Sequence, residues 1–215
     1  MKTEVKLISI TPDAEKHIAY CARVSNPNNQ ENPEISKLIK YCYTNKHWSI
    51  FEMANMCLEI TTSRAIAPQI LRHSSFKFQE LSGRYLNYSS IAEYPFQEVE
   101  PRRQDVKNRQ NSIDDLSEET KDWFKTNLNN LQQEGFNLYN EALERGIAKE
   151  SARFLLPPAL TSRLYMNGTI RSWIHYLDVR LDKSTQKEHR EIAEKAYEIF
   201  CRELPIIGEI IQREK

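Results

Sequence analysis

Glycine is scarce in this chain. Only five of its 215 residues are glycine, and no two of them lie within ten positions of each other. The GxGxxG and P-loop patterns need closely spaced glycines, because the backbone must approach phosphate closely. The sequence therefore excludes both patterns, and a bound nucleotide would have to be held by side chains. Arginine suits that task, since its planar guanidinium can donate two parallel hydrogen bonds to phosphate oxygens.

The chain also lacks an excess of charge of either sign. Thirty Lys and Arg residues balance thirty Asp and Glu residues, which argues against bulk nucleic acid or a membrane surface as a partner. Any anion site must then be a local cluster. No apolar run reaches membrane-spanning length, and the first ten residues, MKTEVKLISI, lack the pattern of a signal peptide.

Cysteine is sparse and scattered. The absence of CxxC spacing predicts a reduced cytoplasmic protein, or one of the host cytoplasm if a virus encodes it, and argues against a zinc site. The four cysteines are Cys21, Cys42, Cys57 and Cys201. None lies in a recognisable nucleophile motif, and neither GxSxG nor HExxH occurs. His47, His73 and His175 have no ligands at metal-binding spacing beside them. We expect no metal and no protein nucleophile.

Hydrophobic periodicity predicts an α+β fold, with a small central β-sheet flanked by helices of which one is long. We expect residues 1–215 to form one domain without internal repeats. Strands are predicted at 5–10, in the second half of 51–62 and at 160–166. Helices are predicted from Pro12, from about Pro33 to about Asn45, before Pro157, at 169–181 and within 182–215, where Ile192, Ala196, Ile199 and Phe200 should face inward.

Three further local predictions concern the middle of the chain. Ser117 should cap the long helix, which carries an apolar stripe from Leu116 to Leu143 and stops at Gly146. Ser63 should cap a short helix that Pro68 interrupts. The polar stretch from Tyr94 to Asn111 is predicted to be an exposed loop or insertion.

Arginine is concentrated beside apolar residues in three segments, at 72–85, 151–157 and 169–180. In the last segment, helical spacing places Arg171, His175 and Asp178 on one face and apolar side chains on the other. Any one of these residues is more commonly a solvated or salt-bridged surface group. Three such segments together favour an anion-binding pocket, although spacing alone does not identify the anion.

The segment RHSSFKFQELSGRY, residues 72–85, resembles the signature of flavin-dependent thymidylate synthases, the ThyX family. That signature is Arg-His-Arg, seven residues and then Ser, within a pattern that ends Ser-x-Arg-Tyr. Arg72 and His73 match its start, Ser82 stands at the expected distance, and Arg84 with the following Tyr85 completes the ending.

Other segments resemble the same family in the same order. HWSIFEM, residues 47–53, is similar to His-x-Ser-Pro-Phe-Glu-His, and Gln69 precedes Arg72 by three residues. Arg153 with the later Leu-Pro resembles Ala-Arg-x-x-Leu-Pro, and residues 171–180 resemble Arg-Ser…Leu-x-x-Arg. The matches run from about residue 47 to 190 and so cover most of the chain.

The resemblance implies an enzyme that methylates dUMP to dTMP, with methylenetetrahydrofolate as one-carbon donor, NADPH as reductant and FAD as cofactor. It also implies a homotetramer with active sites between subunits. The residues implied to bind FAD are Arg72, His73, Ser74, Glu80, Thr169, Arg171 and His175. Those implied to bind dUMP are Gln69, Arg72, Glu80, Ser82, Gly83, Arg84, Arg153 and Arg180. Arg180 is also the implied catalytic residue, since a preplaced cation can stabilise negative charge that develops on the uracil ring.

The chain departs from the family pattern mainly on the flavin side. Ser74 stands in place of Arg, which predicts weaker FAD binding or a contact through Lys77. Met53 replaces a His, and Thr169 and His175 stand where the family usually has asparagines. These departures motivate an alternative, a catalytically impaired relative that binds dUMP or another nucleotide. A third hypothesis, an RNA-binding helical protein, is disfavoured by the neutral net charge.

Overall fold

The computed structural model describes residues 2–91 and 95–213. These residues form six strands and eight α-helices. The strands are β1 (Glu4–Ile10), β2 (Asn55–Ser63), β3 (Lys77–Glu80), β4 (Arg103–Gln104), β5 (Ser112–Ile113) and β6 (Thr161–Thr169). The helices are α1 (Ala14–Ala22), α2 (Ser36–Thr44), α3 (Ala67–Leu71), α4 (Glu118–Glu144), α5 (Lys149–Ala152), α6 (Ile170–Arg180), α7 (Lys187–Glu203) and α8 (Pro205–Arg213).

The central sheet has four strands in the order β1-β2-β6-β3, and each neighbouring pair is antiparallel. Alternation along β6 buries Leu164 and Met166 and leaves Arg163 and Tyr165 exposed. An antiparallel sheet can be packed on one face and solvated on the other, and this sheet shows that pattern. The predicted α+β fold with a small sheet is confirmed.

The main core lies on the packed face of the sheet. Helices α1, α2, α6, α7 and α8 contribute buried apolar side chains to it. Trp173 on α6 is fully buried, and its indole Nε1 donates a hydrogen bond of 2.9 Å to the carbonyl oxygen of Met56 on β2. The predicted inward side of α7 is confirmed, since Ile192, Ala196 and Phe200 are all fully buried.

A second apolar cluster lies where β6 begins, against the C-terminal half of α4. It contains Tyr88, Phe136, Tyr139 and Leu160. Phe96 also belongs to it, because it forms a bridge with Leu160 and packs edge-on against Phe136. The prediction that Tyr94 to Asn111 is an exposed loop is therefore wrong for Pro95, Phe96 and Gln97, which are buried. Tyr94 itself lies outside the described residues.

The ends of α4 agree with the sequence. Ser117 accepts a hydrogen bond from the backbone N–H of Thr120 at 3.2 Å, and Gly146 follows the helix with φ +82°, a conformation that favours glycine. The apolar stripe is buried only in part. Phe136 is buried, but Trp123 is 65% exposed and Leu131 is 59% exposed. The N-terminal half of α4 thus presents large apolar side chains to the surface.

The sequence misassigned the start of α3. Ser63 is the last residue of β2, where it pairs with Thr161, so it does not cap the helix. Helix α3 begins at Ala67, and Pro68 lies in its first turn. A proline there removes an N–H that has no helical partner anyway, so it starts the helix and does not interrupt it. No helix of the described residues is long and apolar enough to cross a membrane.

Candidate active site

The predicted site residues are placed by the ends of β3 and β6 and by the helices that follow them. Strand β6 continues directly into α6, and Thr169 caps that helix by accepting a hydrogen bond from the backbone N–H of Ser172 at 3.2 Å. Arg171, His175 and Asp178 are exposed on one side of α6. The predicted polar face is therefore confirmed, and it carries the charged groups away from the core.

Four predicted substrate residues line one cavity of about 280 Å³, which we call the nucleotide pocket. Glu80, Ser82 and Gly83 come from the end of β3, and Arg153 comes from the turn after α5. The other lining residues are Arg64, Leu81, Tyr88 and Ser162. Two arginines and one glutamate leave a net charge of +1, which suits a phosphate group.

Hydrogen bonds and close packing fix the shape of the pocket. Ser162 Oγ donates to Glu80 Oε1 at 2.8 Å, while Arg153 Nε donates to the carbonyl oxygen of Glu150 at 3.2 Å. Gly83 leaves no room for a side chain, since a Cβ there would lie 2.8 Å from the hydroxyl oxygen of Tyr88 and 3.4 Å from Arg153 Cδ. The glycine therefore lets the backbone form one wall of the pocket.

The sequence did not point to three of the polar pocket residues. Arg64, Tyr88 and Ser162 enter the pocket because β2 ends beside the start of β6, and because Tyr88 folds back under Gly83. Among the described residues, the Arg64 side chain has no ion pair or hydrogen-bond partner. Arg64 belongs to no sequence motif, so only the strand pairing shows that Arg64 and Ser162 line the pocket.

Arg84 lies outside the nucleotide pocket. It was predicted to bind dUMP, but here its Nε donates to Glu150 Oε2 at 3.2 Å and its side chain is about half exposed. Its guanidinium carbon lies 5.8 Å from the centroid of the exposed Tyr85 ring. An exposed ion pair of this kind is weak, so Arg84 can leave Glu150 for a stronger anion.

A second group of residues surrounds the C-terminal end of α6, and we call it the arginine–histidine cluster. It joins the predicted residues Arg180 and His73 to Tyr176 and His189, which the sequence did not assign to the site. Arg180 Nε donates to His73 Nε2 at 2.9 Å, and His189 Nε2 lies 3.2 Å from the Tyr176 hydroxyl oxygen. Nearby, the predicted substrate residue Gln69 donates from Nε2 to a glutamine on the loop before α7, at 2.7 Å.

Burial keeps the histidines of this cluster neutral. It lowers the pKa of His73 to about 4, with Arg180 and His175 adding to the effect. It lowers the pKa of His189 to about 3, with Arg180 and His73 adding. A neutral His73 leaves a lone pair on Nε2 for the Arg180 Nε–H, because arginine can only donate. The pKa of Tyr176 is raised by the same burial, so its hydroxyl stays protonated.

The residues implied to bind FAD are mostly exposed. Arg72, Ser74 and His175 are all at the surface, and among the described residues Arg72 has no ion pair or hydrogen bond from its side chain. Arg171 pairs through Nη1 with Glu52, which ends the turn that carries the HWSIFEM segment. These cations are solvent-accessible and available to an anionic ligand.

The nucleotide pocket and the arginine–histidine cluster are separate within one chain. Residues 80–83 of the pocket end or follow β3, whereas His73 of the cluster precedes it. No hydrogen bond or ion pair between described residues joins the two groups. Arg153 and Arg180, which the sequence assigns to a single dUMP site, do not line the same cavity within one chain.

A larger groove of about 820 Å³ lies between α4 and α7, away from both groups. Four lysines and six glutamates line it. An excess of carboxylates fits a nucleotide phosphate poorly, so size does not make this groove the better candidate. The described residues also contain no group of three or more His, Cys, Asp or Glu side chains that could hold a metal ion.

Comparison with known proteins places the chain in a family. Residues 6–206 match the family described as "Thymidylate synthase complementing protein". The flavin-dependent thymidylate synthase of Synechocystis is 54% identical over 211 residues, which cover 98% of this chain and 95% of the relative. The probable flavin-dependent thymidylate synthase of Paramecium bursaria Chlorella virus 1 is 50% identical over 214 residues, covering 96% and 97%.

The fold also has a close counterpart among solved structures. A UMP/dUMP methylase from Streptomyces cacaoi, solved with 5-Br dUMP, superposes with a TM-score of 0.84 at 21% identity, and covers 99% of this chain and 95% of that one. At that identity the likeness shows the fold alone. Together with the near full-length relatives, it leads to one conclusion: the chain belongs to the flavin-dependent thymidylate synthase family of enzymes.

Proposed function

We propose that the chain converts dUMP to dTMP, with methylenetetrahydrofolate as one-carbon donor, NADPH as reductant and FAD as cofactor. The nucleotide pocket is the observation that carries this proposal, because it joins two guanidinium groups to a backbone wall at Gly83. Two relatives that match nearly the full chain are named a flavin-dependent thymidylate synthase and a probable flavin-dependent thymidylate synthase, and the solved neighbour contains a dUMP analogue.

The pocket residues suit a nucleotide monophosphate. Arg153 and Arg64 can donate to phosphate oxygens, and each charged hydrogen bond contributes about 1.5–3 kcal/mol. Ser82 adds a hydroxyl donor in the same cavity. Glu80, held by Ser162, can accept from a sugar hydroxyl or a base N–H. No residue of this pocket is required to form a covalent bond with the substrate.

The exposed cations near the start of α6 fit FAD. Arg72 and Arg171 can donate to its pyrophosphate, while Ser74 offers a hydroxyl where the family pattern has a third cation. Lys77 lies exposed three residues after Ser74 and can supply the missing charge. Bound FAD and the folate would supply the hydride and one-carbon chemistry, and the chain's residues would hold and orient the flavin.

Arg180 is the proposed catalytic residue. Its Nε is held by His73, and among the described residues its two Nη groups have no hydrogen-bond partner. They can therefore stabilise negative charge on the uracil ring as carbon is transferred. Burial raises the pKa of Cys42 and of Cys57 and so favours their neutral thiols, which argues against thiolate attack by these two of the four cysteines.

We further propose that residues 1–215 act as one domain within a homotetramer, with each active site built from two chains. The nucleotide pocket of one chain would face the arginine–histidine cluster of another. The separation of the two groups supports this arrangement, as do Trp123 and Leu131 on the exposed face of α4, because large exposed apolar patches often mark subunit interfaces.

The decisive experiment is anaerobic dTMP formation from dUMP, methylenetetrahydrofolate and NADPH, with and without added FAD. FAD-dependent dTMP formation is the expected result. A calorimetric titration with dUMP on the same preparation serves as the control for folded, binding-competent protein. Tight dUMP binding without dTMP would instead support the alternative, a nucleotide-binding relative that the Ser74 substitution has impaired. Loss of both would contradict the proposed site.

A further inference from the structure

His189 is a buried polar residue on an otherwise apolar helix face. It is fully buried on α7, where neighbouring inward positions carry Ile192, Ala193 and Ala196. Its Nδ1 atom has no hydrogen-bond partner among the described residues. A buried polar atom without a partner opposes folding, whereas an apolar side chain of similar size would not. Core packing alone therefore does not account for a histidine at this position.

Side-chain contacts connect His189 to Arg180 through two aromatic rings. His189 Nε2 bonds the hydroxyl group of Tyr176 at 3.2 Å. The Tyr176 ring packs edge-on against the His73 ring, with centroids 5.0 Å apart, and His73 is bordered on another side by Phe76, also edge-on. His73 Nε2 then accepts the hydrogen bond from Arg180 Nε at 2.9 Å. The contact chain thus runs from α7 through α6 to the loop after α3.

Only one member of this network is charged. The charged or titratable groups that face His73 are Arg180, His175, Tyr176 and His189. Those that face His189 are Arg180, His73 and Tyr176. Arginine keeps its proton at all working pH values. The other members must be neutral, since a second cation beside Arg180 would repel it and would remove the acceptor on His73. The ring contacts and the Tyr176–His189 bond hold that neutral acceptor in place.

We propose that Tyr176 and His189 are positioning residues for Arg180, acting through His73, so that its free Nη groups meet the uracil ring in one orientation. This inference rests on the proposed methylation of dUMP. Misplacement of a catalytic group by about 1 Å can lower a rate about a hundredfold without affecting substrate binding. Loss of the network should accordingly reduce kcat and leave the binding of dUMP and FAD intact.

The test uses two disruptive variants and two controls in the full-length protein. Tyr176→Phe keeps the ring and removes the hydroxyl, and His189→Leu removes the hydrogen-bonding atom. His189→Gln keeps a polar atom close to the place of Nε2 and serves as the conservative rescue. Ile192→Val shortens a buried side chain three residues away and reports generic loss of packing. The measurements are kcat, the KM for dUMP, the Kd for FAD, and the Arg180–His73 distance in crystal structures.

We expect kcat to fall at least about tenfold in Tyr176→Phe and His189→Leu, with KM for dUMP and Kd for FAD within about twofold of the parent. His189→Gln should recover most of kcat, and Ile192→Val should match the parent. Parent-like kcat in both disruptive variants would overturn the proposal. The proposal would also be overturned if the loss of kcat followed the loss of melting temperature equally in all four variants, because that result would indicate an effect of packing alone.

The crystal structures separate this inference from the proposed function. If the parent forms no dTMP, the proposed function fails, but the position of Arg180 is still measurable. A lengthened or broken bond between Arg180 Nε and His73 Nε2 in His189→Leu, restored in His189→Gln, would support the positioning role. An unchanged bond in both disruptive variants would refute it.

Discussion

Mixing two inactive variants should restore activity if each active site is built from two chains. Arg153→Ala damages the nucleotide pocket and leaves the arginine–histidine cluster intact, whereas Arg180→Ala does the reverse. The two residues lie in groups that no described hydrogen bond or ion pair joins. Each variant alone should be inactive in dTMP formation, because every site in the proposed homotetramer would lack one arginine.

The expected size of the recovery follows from random assembly of symmetric oligomers. In an equal mixture, half of the sites receive their pocket from a chain with an intact Arg153. Half of those receive their cluster from a chain with an intact Arg180. About one quarter of all sites are therefore complete, and the mixture should reach about 25% of parental kcat per chain.

The assay is dTMP formation by co-expressed, differently tagged variants, after tandem purification and light scattering to verify mixed tetramers. A matched control mixes Arg180→Ala with His73→Ala. Both changes fall in the arginine–histidine cluster, so no combination of chains restores both residues to one site, and activity should not exceed the mean of the two variants measured alone. Activity below about 1% in a verified mixture of Arg153→Ala and Arg180→Ala would refute shared sites and place both arginines in one chain's site.

Three further outcomes test individual features. Arg180→Ala should reduce dTMP formation at least about a thousandfold while FAD absorbance and Kd remain near those of the parent; comparable turnover would contradict its catalytic role. Gly83→Ala should weaken dUMP binding at least about tenfold, since its Cβ would lie 2.8 Å from the Tyr88 hydroxyl oxygen, and calorimetry should show partial recovery when Tyr88→Phe is added. Acid should destabilise the fold. Below about pH 6.5 the histidines of the unfolded chain become protonated, whereas in the folded chain His73 is protonated only near its pKa of about 4 and His189 only near its pKa of about 3. The free energy of unfolding should then fall by up to about 1.4 kcal/mol per pH unit for each histidine, and urea titrations of His189→Leu should show a shallower decline than the parent.

The sequence predicted best those features that depend on local pattern. The cap at Ser117 and the stop at Gly146 follow from residue types that satisfy helix ends. The polar face of α6 follows from helical spacing. Where a residue was compatible with two local structures, its tertiary contacts decided which one formed. Ser63 is a good cap in isolation, but hydrogen bonding to β6 extends β2 through it.

The pocket and the buried network depend on contacts that no local pattern encodes. Arg64 and Ser162 become neighbours of Glu80 because β2 and β3 both pair with β6. His189 lies in a run of charged residues, and on sequence alone such a position is typical of a solvated helix face. It is buried because α7 packs across α6. Strand register and helix packing cannot be derived from the sequence alone. They identified the site residues that the sequence motifs had missed.

The half-buried position of Arg180 connects catalysis to assembly. In one chain its Nη groups have no described partner, and solvent can hydrate them. Charge interactions strengthen as water is excluded, so in the proposed assembly the same guanidinium would stabilise a developing anion more strongly once a facing pocket covered it. Among the described residues no carboxylate pairs with Arg180, whose one hydrogen-bond partner is the neutral His73. In the proposed assembly, an arginine held by neutral groups on one subunit would be completed by a phosphate-binding pocket on another and would need no nucleophile. The raised pKa values of the Cys42 and Cys57 thiols agree with that mechanism.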